Sequence, residues 1–258
     1  MKKINLILFP FLFSVFIIYL SYNDQLWLAF WGTLNISPQI PPFSDLDSIS
    51  KTLLSKNLGY DVYLENPLDP DHGVMLYPSI WLTFFEFFKL NTPIYFKAFN
   101  FFIIFIYFSI LQDLYIKNSK KLFKIILIIF FFSTTNFLIL ERLNIEIIIF
   151  CLIYFSVIFK NNFIKILFYI SALMGKVFPI FSIFLFIQNK KVFFLSLFLS
   201  LIFLLLIRKE IYFMSMNIIE YARIFAYGSG SIAKAIYFFS KEYNLFITDE
   251  NYIFLKLS

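Results

Sequence analysis

The sequence has 258 residues, of which 60% are hydrophobic and 23% aromatic, with a mean hydropathy of +0.81 and a formal net charge of +6. Soluble domains carry roughly 45–50% apolar residues and interrupt their apolar runs often, whereas here runs near or above about 18 residues recur, each a transmembrane helix candidate. A single cysteine, Cys151, excludes an intramolecular disulfide and a cysteine zinc cluster, and a single histidine, His72, argues against a histidine-rich metal site.

Met1-Lys2-Lys3 precedes the apolar run Ile4 to Leu20 with no small-residue cleavage site after it. It reads as an uncleaved signal anchor with a cytoplasmic N-terminus. Ser21 to Tyr77 then holds seven acids (Asp24, Asp45, Asp47, Asp61, Glu65, Asp69, Asp71) against two lysines, Lys51 and Lys56. The flanking lysines gather elsewhere: Lys117, Lys120, Lys121 and Lys124, then Lys160 and Lys165, then Lys190 and Lys191. Positive loops stay in the cytoplasm, so the loop 21–77 is expected to face outward and the lysine clusters inward. That pattern accounts for the net charge with membrane lipids as the surroundings, and no nucleic-acid partner is expected.

Within this loop Ser44 to Leu58 is predicted to be a short amphipathic helix at the membrane surface. Ser44 suits the N-cap, Ser44-x-x-Asp47 fits a capping box, and Leu46, Ile49, Leu53 and Leu54 share one face. Gly59 suits the left-handed position after the helix. Asp47 then reads as a capping residue. Asp45, at the first helical position, is favoured there by the helix dipole and is equally open to a functional role.

Predicted spans follow at Pro78 to Lys89, Ile94 to Tyr115, Leu122 to Leu140, Ile145 to Phe159, Phe163 to Ile187 and Val192 to Ile207. The first is too short for the roughly 20 residues a crossing needs, so it is re-entrant or merges with the loop's helices. Phe163 to Ile187 has lysines at both ends and Gly175-Lys176-Val177-Phe178-Pro179 in its middle. It is expected to be a bent hairpin with Lys176 and Pro179 at the tip. Residues 1–207 thus form a transmembrane domain, and 208–258 an outward loop and the start of a further apolar segment at Asn251 to Ser258.

Three further features carry polar chemistry. Glu141-Arg142-Leu143-Asn144-Ile145-Glu146 falls outward between two apolar runs. Such residues are costly at a membrane boundary and often functional, although an Arg142–Glu146 pair one helical turn apart, with Glu141 snorkelling, would account for them too. Lys176 either meets an anion as a point charge or snorkels to an interface. Tyr227-Gly228-Ser229-Gly230-Ser231-Ile232-Ala233-Lys234 lacks phosphate-loop spacing and reads as an outward loop, with Arg223 nearby, and His72 reads as a turn residue.

The helix opening with Asp45 is followed by Gly59-Tyr60-Asp61-Val62-Tyr63, then Asn66-Pro67, then Leu76-Tyr77-Pro78. In that order they resemble glycosyltransferase family 87, the polyprenyl-phosphate-sugar-dependent enzymes of the GT-C superfold, over roughly Ile4 to Ile207. The resemblance implies an all-α, polytopic transmembrane protein that moves a hexose of the mannose or glucose class from a polyprenyl-phosphate donor. The acceptor would be an extracytoplasmic glycan, lipid or protein, and the transfer would invert the anomeric centre. Asp45 would be the general base, which typically contributes about 10²–10⁴-fold. Asp61 would bind a divalent metal or a sugar hydroxyl. Glu141 to Glu146 resembles the family's Arg-x-Asn-x-Glu/Asp segment, implying that Arg142 holds the donor phosphate and that Glu141 or Asn144 touches sugar. Lys176 falls on a comparable Lys-x-x-Pro and would meet the lipid phosphate. Members are usually longer, so a truncated or unusually short member is expected. The rival readings are a transporter or flippase of lipid-linked sugars, a non-catalytic membrane subunit, and a surface-polysaccharide polymerase or ligase.

Overall fold

A 25-residue helix, α5 (Pro93–Lys117), opens on a proline whose fixed φ suits the first helical position. In the computed structural model, which describes residues 5–69 and 73–213, all regular structure in the described residues is helical. The chain divides into two compact units, Met1–Arg208 and Lys209–Ser258. Of the second unit, residues 209–213 are described. Met1 to Lys3, Asp71, His72, Arg223, the Tyr227–Lys234 loop and Asn251 to Ser258 lie outside the described residues.

The first helices are α1 (Asn5–Leu20), α2 (Asp24–Thr33), α3 (Ser44–Asn57) and α4 (Ile80–Phe87). After α5 come α6 (Lys121–Phe131), α7 (Thr134–Arg142), α8 (Glu146–Ile158), α9 (Asn162–Gly175), a 3₁₀ segment (Phe178–Phe186) and α10 (Lys190–Leu206). At about 1.5 Å per residue α5 is about 37 Å long, enough to cross a hydrocarbon core of about 30 Å, while eight-residue α4 reaches only about 12 Å. The apolar run Leu122 to Leu140 is not one straight helix. It breaks between α6 and α7 with a bend of 52°, because the Ser133 hydroxyl accepts from the Asn136 N–H and caps a new helix.

Antiparallel pairs organise the core. Phe13 meets Phe108 and Phe11 meets Phe101 between α1 and α5, and Phe168 stacks on Phe159 between α9 and α8. The largest fully buried side chains are Trp27, Trp31, Tyr169, Phe43, Phe85 and Phe108. Outside this core, α6 buries none of its side chains. On α1 and α10, Leu12, Phe198 and Leu206 are exposed.

The expected amphipathic helix is present as α3, with Leu46, Ile49 and Leu53 buried and Leu54 half-buried. Its start differs from the expected capping box. The N-cap is Phe43, in the left-handed region at φ 64°. Its N–H donates to the Glu141 carbonyl (3.3 Å) and its ring meets Trp27 edge-on with centroids 5.0 Å apart. These anchors hold a conformation that costs an L-residue about 1–2 kcal/mol. They push Ser44 into the first turn, where its hydroxyl donates to Gln39 Oε1 (2.5 Å) instead of capping. The helix end is as expected. Gly59 at φ 95° follows the C-cap, with Gly59 N–H donating to Lys56 O (2.9 Å) and Tyr60 N–H to Ser55 O (3.2 Å), the paired bonds of a Schellman motif.

The run Phe163 to Ile187 breaks where the sequence places its tip. Helix α9 ends at Gly175, and the 3₁₀ segment starts at Phe178 with Pro179 in its first turn. A Cβ at Gly175 would lie 3.2 Å from Ile149 Cγ1 and 3.4 Å from Trp81 Cζ2, and Trp81 Nε1 donates to Gly175 O at 3.0 Å. This glycine lets α4, α8 and α9 converge immediately before Lys176.

The backbone at Gly59 gives a paired test. Gly59→Ala is expected to cost about 1 kcal/mol and lower the melting temperature in detergent by about 2–4 °C. Gly32→Ala, inside α2 with nothing within 4 Å of an added Cβ, is expected to be neutral or stabilising by up to about 1 kcal/mol. Equal losses in both would overturn this account of the α3 terminus.

Candidate functional site

The site is built at the corner between α7 and α8. Helix α7 ends at Leu143, which is left-handed at φ 48°, and α8 resumes three residues later. The tight reversal turns Glu141, Arg142, Asn144 and Glu146 in different directions from one point. Asn144 Oδ1 accepts the Glu146 N–H (3.1 Å), which fixes its amide so that Nδ2 donates to Asp45 Oδ2 (2.5 Å). Asp45, in the first turn of α3, is thereby tied across 99 residues of chain to the α7–α8 corner.

Lys176 enters from the α9 break. Its ammonium donates to Glu146 Oε1 and lies 5.4 Å from the centroid of the Tyr77 ring. Glu146 therefore pairs with Lys176, and an Arg142–Glu146 pair is not needed to explain the segment. Side-chain exposures of 18% for Arg142, 26% for Lys176 and 38% for Glu146 leave the cluster open to a ligand.

Burial pushes the Asp45 carboxyl from 3.8 up to about 6. The Arg142 and Lys176 charges and the Asn144 hydrogen bond oppose that rise, while Glu146 adds to it. Desolvation thus prevails, although two cations stand close by. Burial also raises the Tyr77 phenol well above its usual value, and the Asp45 and Glu146 charges push it further. Asp47 is raised by burial too, against the pull of Lys51.

Glu141 has a different task. It is 0% exposed and its Oε1 accepts from the Gln39 N–H (2.8 Å) and from Trp27 Nε1 (3.2 Å), while Arg142 Nε stands 3.9 Å from its Oε2. It fastens α2 and the α2–α3 connection to α7 and does not snorkel. Asp61 is exposed and its carboxylate accepts the Tyr63 N–H (3.2 Å) of its own turn. That turn reaches the site only indirectly, since the Tyr63 hydroxyl donates to Tyr77 O (3.1 Å).

Four of the residues singled out in the sequence, Asp45, Arg142, Asn144 and Lys176, are thus brought together. Glu141 lies behind them as a fastener and Asp61 is outside their network. Glu146 and Tyr77 join the cluster without having been expected there. Their signal was faint: Glu146 ends the segment containing Asn144, and Tyr77 belongs to the Tyr-Pro before α4. Among the described residues no three His, Cys, Asp or Glu side chains converge as a metal-binding set.

No family model, curated protein or solved structure matches the chain.

Replacing Glu141 tests the fastener. Glu141→Ala strands the Trp27 and Gln39 donors in a buried place, at about 1–3 kcal/mol for each unsatisfied group. A large fall in the detergent melting temperature is expected, and a smaller one for Trp27→Phe, which removes a donor and leaves the carboxylate its bond from Gln39. A Glu141→Ala protein as stable as the parent would show that these bonds do not hold α2 to α7.

Proposed function

We propose that this chain is a multi-pass membrane glycosyltransferase that moves a hexose from a polyprenyl-phosphate donor to an extracytoplasmic acceptor. The observation that carries the proposal is the Asp45 carboxylate. It is lifted to about 6, opposed by Arg142 and Lys176, and positioned by Asn144 on a surface helix. A base and two cations able to meet a phosphate, gathered at one point, are what this transfer needs.

The helical arrangement supports the membrane setting. Among the described residues, α5 is the one helix long and apolar enough to cross, and the bent α6–α7 pair is readable as one broken crossing. The lysine-bearing ends at 117–121, 160–165 and 190–191 then share the cytoplasmic side. The α7–α8 corner, the α9 tip and α3 share the other. On this reading α4 does not cross, α9 climbs to Lys176 and the 3₁₀ segment descends again. The apolar side chains left exposed on α1, α6 and α10 face lipid.

The chemistry follows from the residues. The acceptor O–H attacks the anomeric carbon as Asp45 takes its proton. The bond from that carbon to the phosphate oxygen breaks, and polyprenyl phosphate leaves with the electron pair. The charge developing on phosphate lies against Arg142 and Lys176. Glu146 competes with phosphate for Lys176, so donor binding must displace or share that ion pair. Asn144 holds the base, and Glu141 holds the corner that holds Asn144. A flippase would need no base, whereas here a carboxyl with a raised pKa stands beside two cations.

The test is transfer from radiolabelled polyprenyl-phosphate mannose or glucose in membranes with and without the protein. Asp45→Asn at matched expression is expected to lose about 10²–10⁴-fold. Since only ionised Asp45 can accept a proton, wild-type transfer should fall as pH drops through about 6. Lys176→Gln removes a nearby cation, so it should move that limb to higher pH and slow transfer. Glu146→Gln removes a nearby anion and should move the limb lower. Undiminished transfer by Asp45→Asn would remove Asp45 as the base, and no transfer from either donor would sink the enzyme reading.

A further inference from the structure

On α3, Asp47 lies two residues beyond Asp45, about 200° around the helix axis, and it faces a second cleft that the transfer chemistry does not use. This cleft measures about 760 Å³ including its open mouth. Phe43, Pro93 and Phe96 supply apolar walls, and Asp47, Lys51 and Lys97 supply charge. One Asp47 oxygen, Oδ2, is buried with no hydrogen-bond donor. Lys97 donates to Ser21 O (3.4 Å) and sits 3.3 Å from the Tyr22 ring centroid, which occupies only part of an ammonium's three donors. The lining residues thus offer two cations and an under-supplied acceptor and sum to one positive unit, with Asp24 acting on Lys97 from beyond them. Its complement is a monoanion that also carries a hydroxyl donor.

The position narrows the choice. The cleft lies at Ser21, just past the end of α1, and at Pro93, where α5 begins, with Tyr22 and Tyr95 exposed beside it. On the membrane reading proposed above, on which this inference rests, that is the outer lipid–water boundary, where exposed tyrosines concentrate. The chemistry available there in quantity is the phosphodiester headgroup.

We propose that this cleft seats the headgroup of an anionic, hydroxyl-bearing phospholipid of the phosphatidylglycerol type. Its phosphate lies on Lys51 and Lys97, and a glycerol hydroxyl donates to Asp47. The site is separate from the donor site, and its lipid stays chemically unchanged. A zwitterionic choline headgroup fits poorly because its quaternary ammonium has no proton to donate and its net charge is zero.

The test uses the full chain purified in mild detergent and exposed to vesicles of mixed phosphatidylglycerol and phosphatidylcholine, with retained lipid read by native mass spectrometry. Wild type is expected to retain phosphatidylglycerol preferentially. Lys51→Gln and Lys97→Gln should each lower that preference about fivefold, the value of one interfacial lysine. Lys51→Arg should keep it, as should Lys56→Gln, an exposed lysine of the same helix outside the cleft. Equal retention of the two lipids, or a preference untouched in both glutamine variants, would overturn the proposal. Displacement by soluble glycerol phosphate at comparable concentration would overturn the lipid as the source of the headgroup. A protein that partitions into water without detergent would overturn the membrane reading and this inference together. A membrane-integral protein without lipid preference would overturn this inference alone.

Discussion

A carboxylate with no exposure must have its hydrogen bonds supplied by protein, and Glu141 is that carboxylate. Removing an ionised group from water without donors is far more costly than any single packing contact can offset. The chain meets the requirement at Oε1 from afar, with the Trp27 indole of α2 and the Gln39 amide of the α2–α3 connection, and leaves Oε2 facing Arg142 Nε at 3.9 Å. The Phe43 amide adds a bond to the Glu141 backbone. These three ties come from a stretch more than ninety residues upstream and fix where α3 begins. Since Asp45 is in the first turn of α3, the location of the site follows from the burial of Glu141.

Fixing α3 creates the electrostatic tension at Asp45. Burial favours its neutral form, while Arg142, Lys176 and the Asn144 amide favour the charge. In water the cations would win easily, since a carboxylate beside a guanidinium usually titrates below its ordinary value. Here one cation is answered by Glu146 and the other stands beside Glu141. Each positive charge is therefore partly neutralised by an acid, and desolvation prevails at Asp45. The same balance leaves the cations close enough to act on an incoming anion that could compete with those acids.

The longer helices were largely legible in the sequence because their apolar runs are bounded by proline, glycine or polar breaks. The α5 helix and the Gly175–Pro179 break fell where composition and proline chemistry put them. The α6–α7 bend did not, because a single serine cap is a weak signal inside an apolar run. The α3 N-terminus failed for a related reason: Ser44 has the right side chain for a cap, but the tertiary anchors on Phe43 move the helix start by one residue. Of the site, the residue types were legible and the pairings were not. The sequence offered Arg142 as the neighbour of Glu146 by helical spacing. Leu143 in the left-handed region ends that helix, and Glu146 instead finds Lys176, thirty residues on.

That replacement explains why the α9 break must be placed so accurately. A Cβ at Gly175 would crowd Ile149 Cγ1 at 3.2 Å and touch Trp81 Cζ2 at 3.4 Å, so α9 approaches α8 and α4 closely at its last residue. Lys176, the next residue, leaves the helix in an extended conformation and turns to Glu146 and the Tyr77 ring. A continuous helix would carry this side chain around its own axis, past the corner that holds Asp45. The proline at the second position of the next segment prevents that continuation. The placing of Lys176 at the site is therefore a consequence of backbone chemistry in three features: a glycine for approach, an extended lysine for direction and a proline for termination.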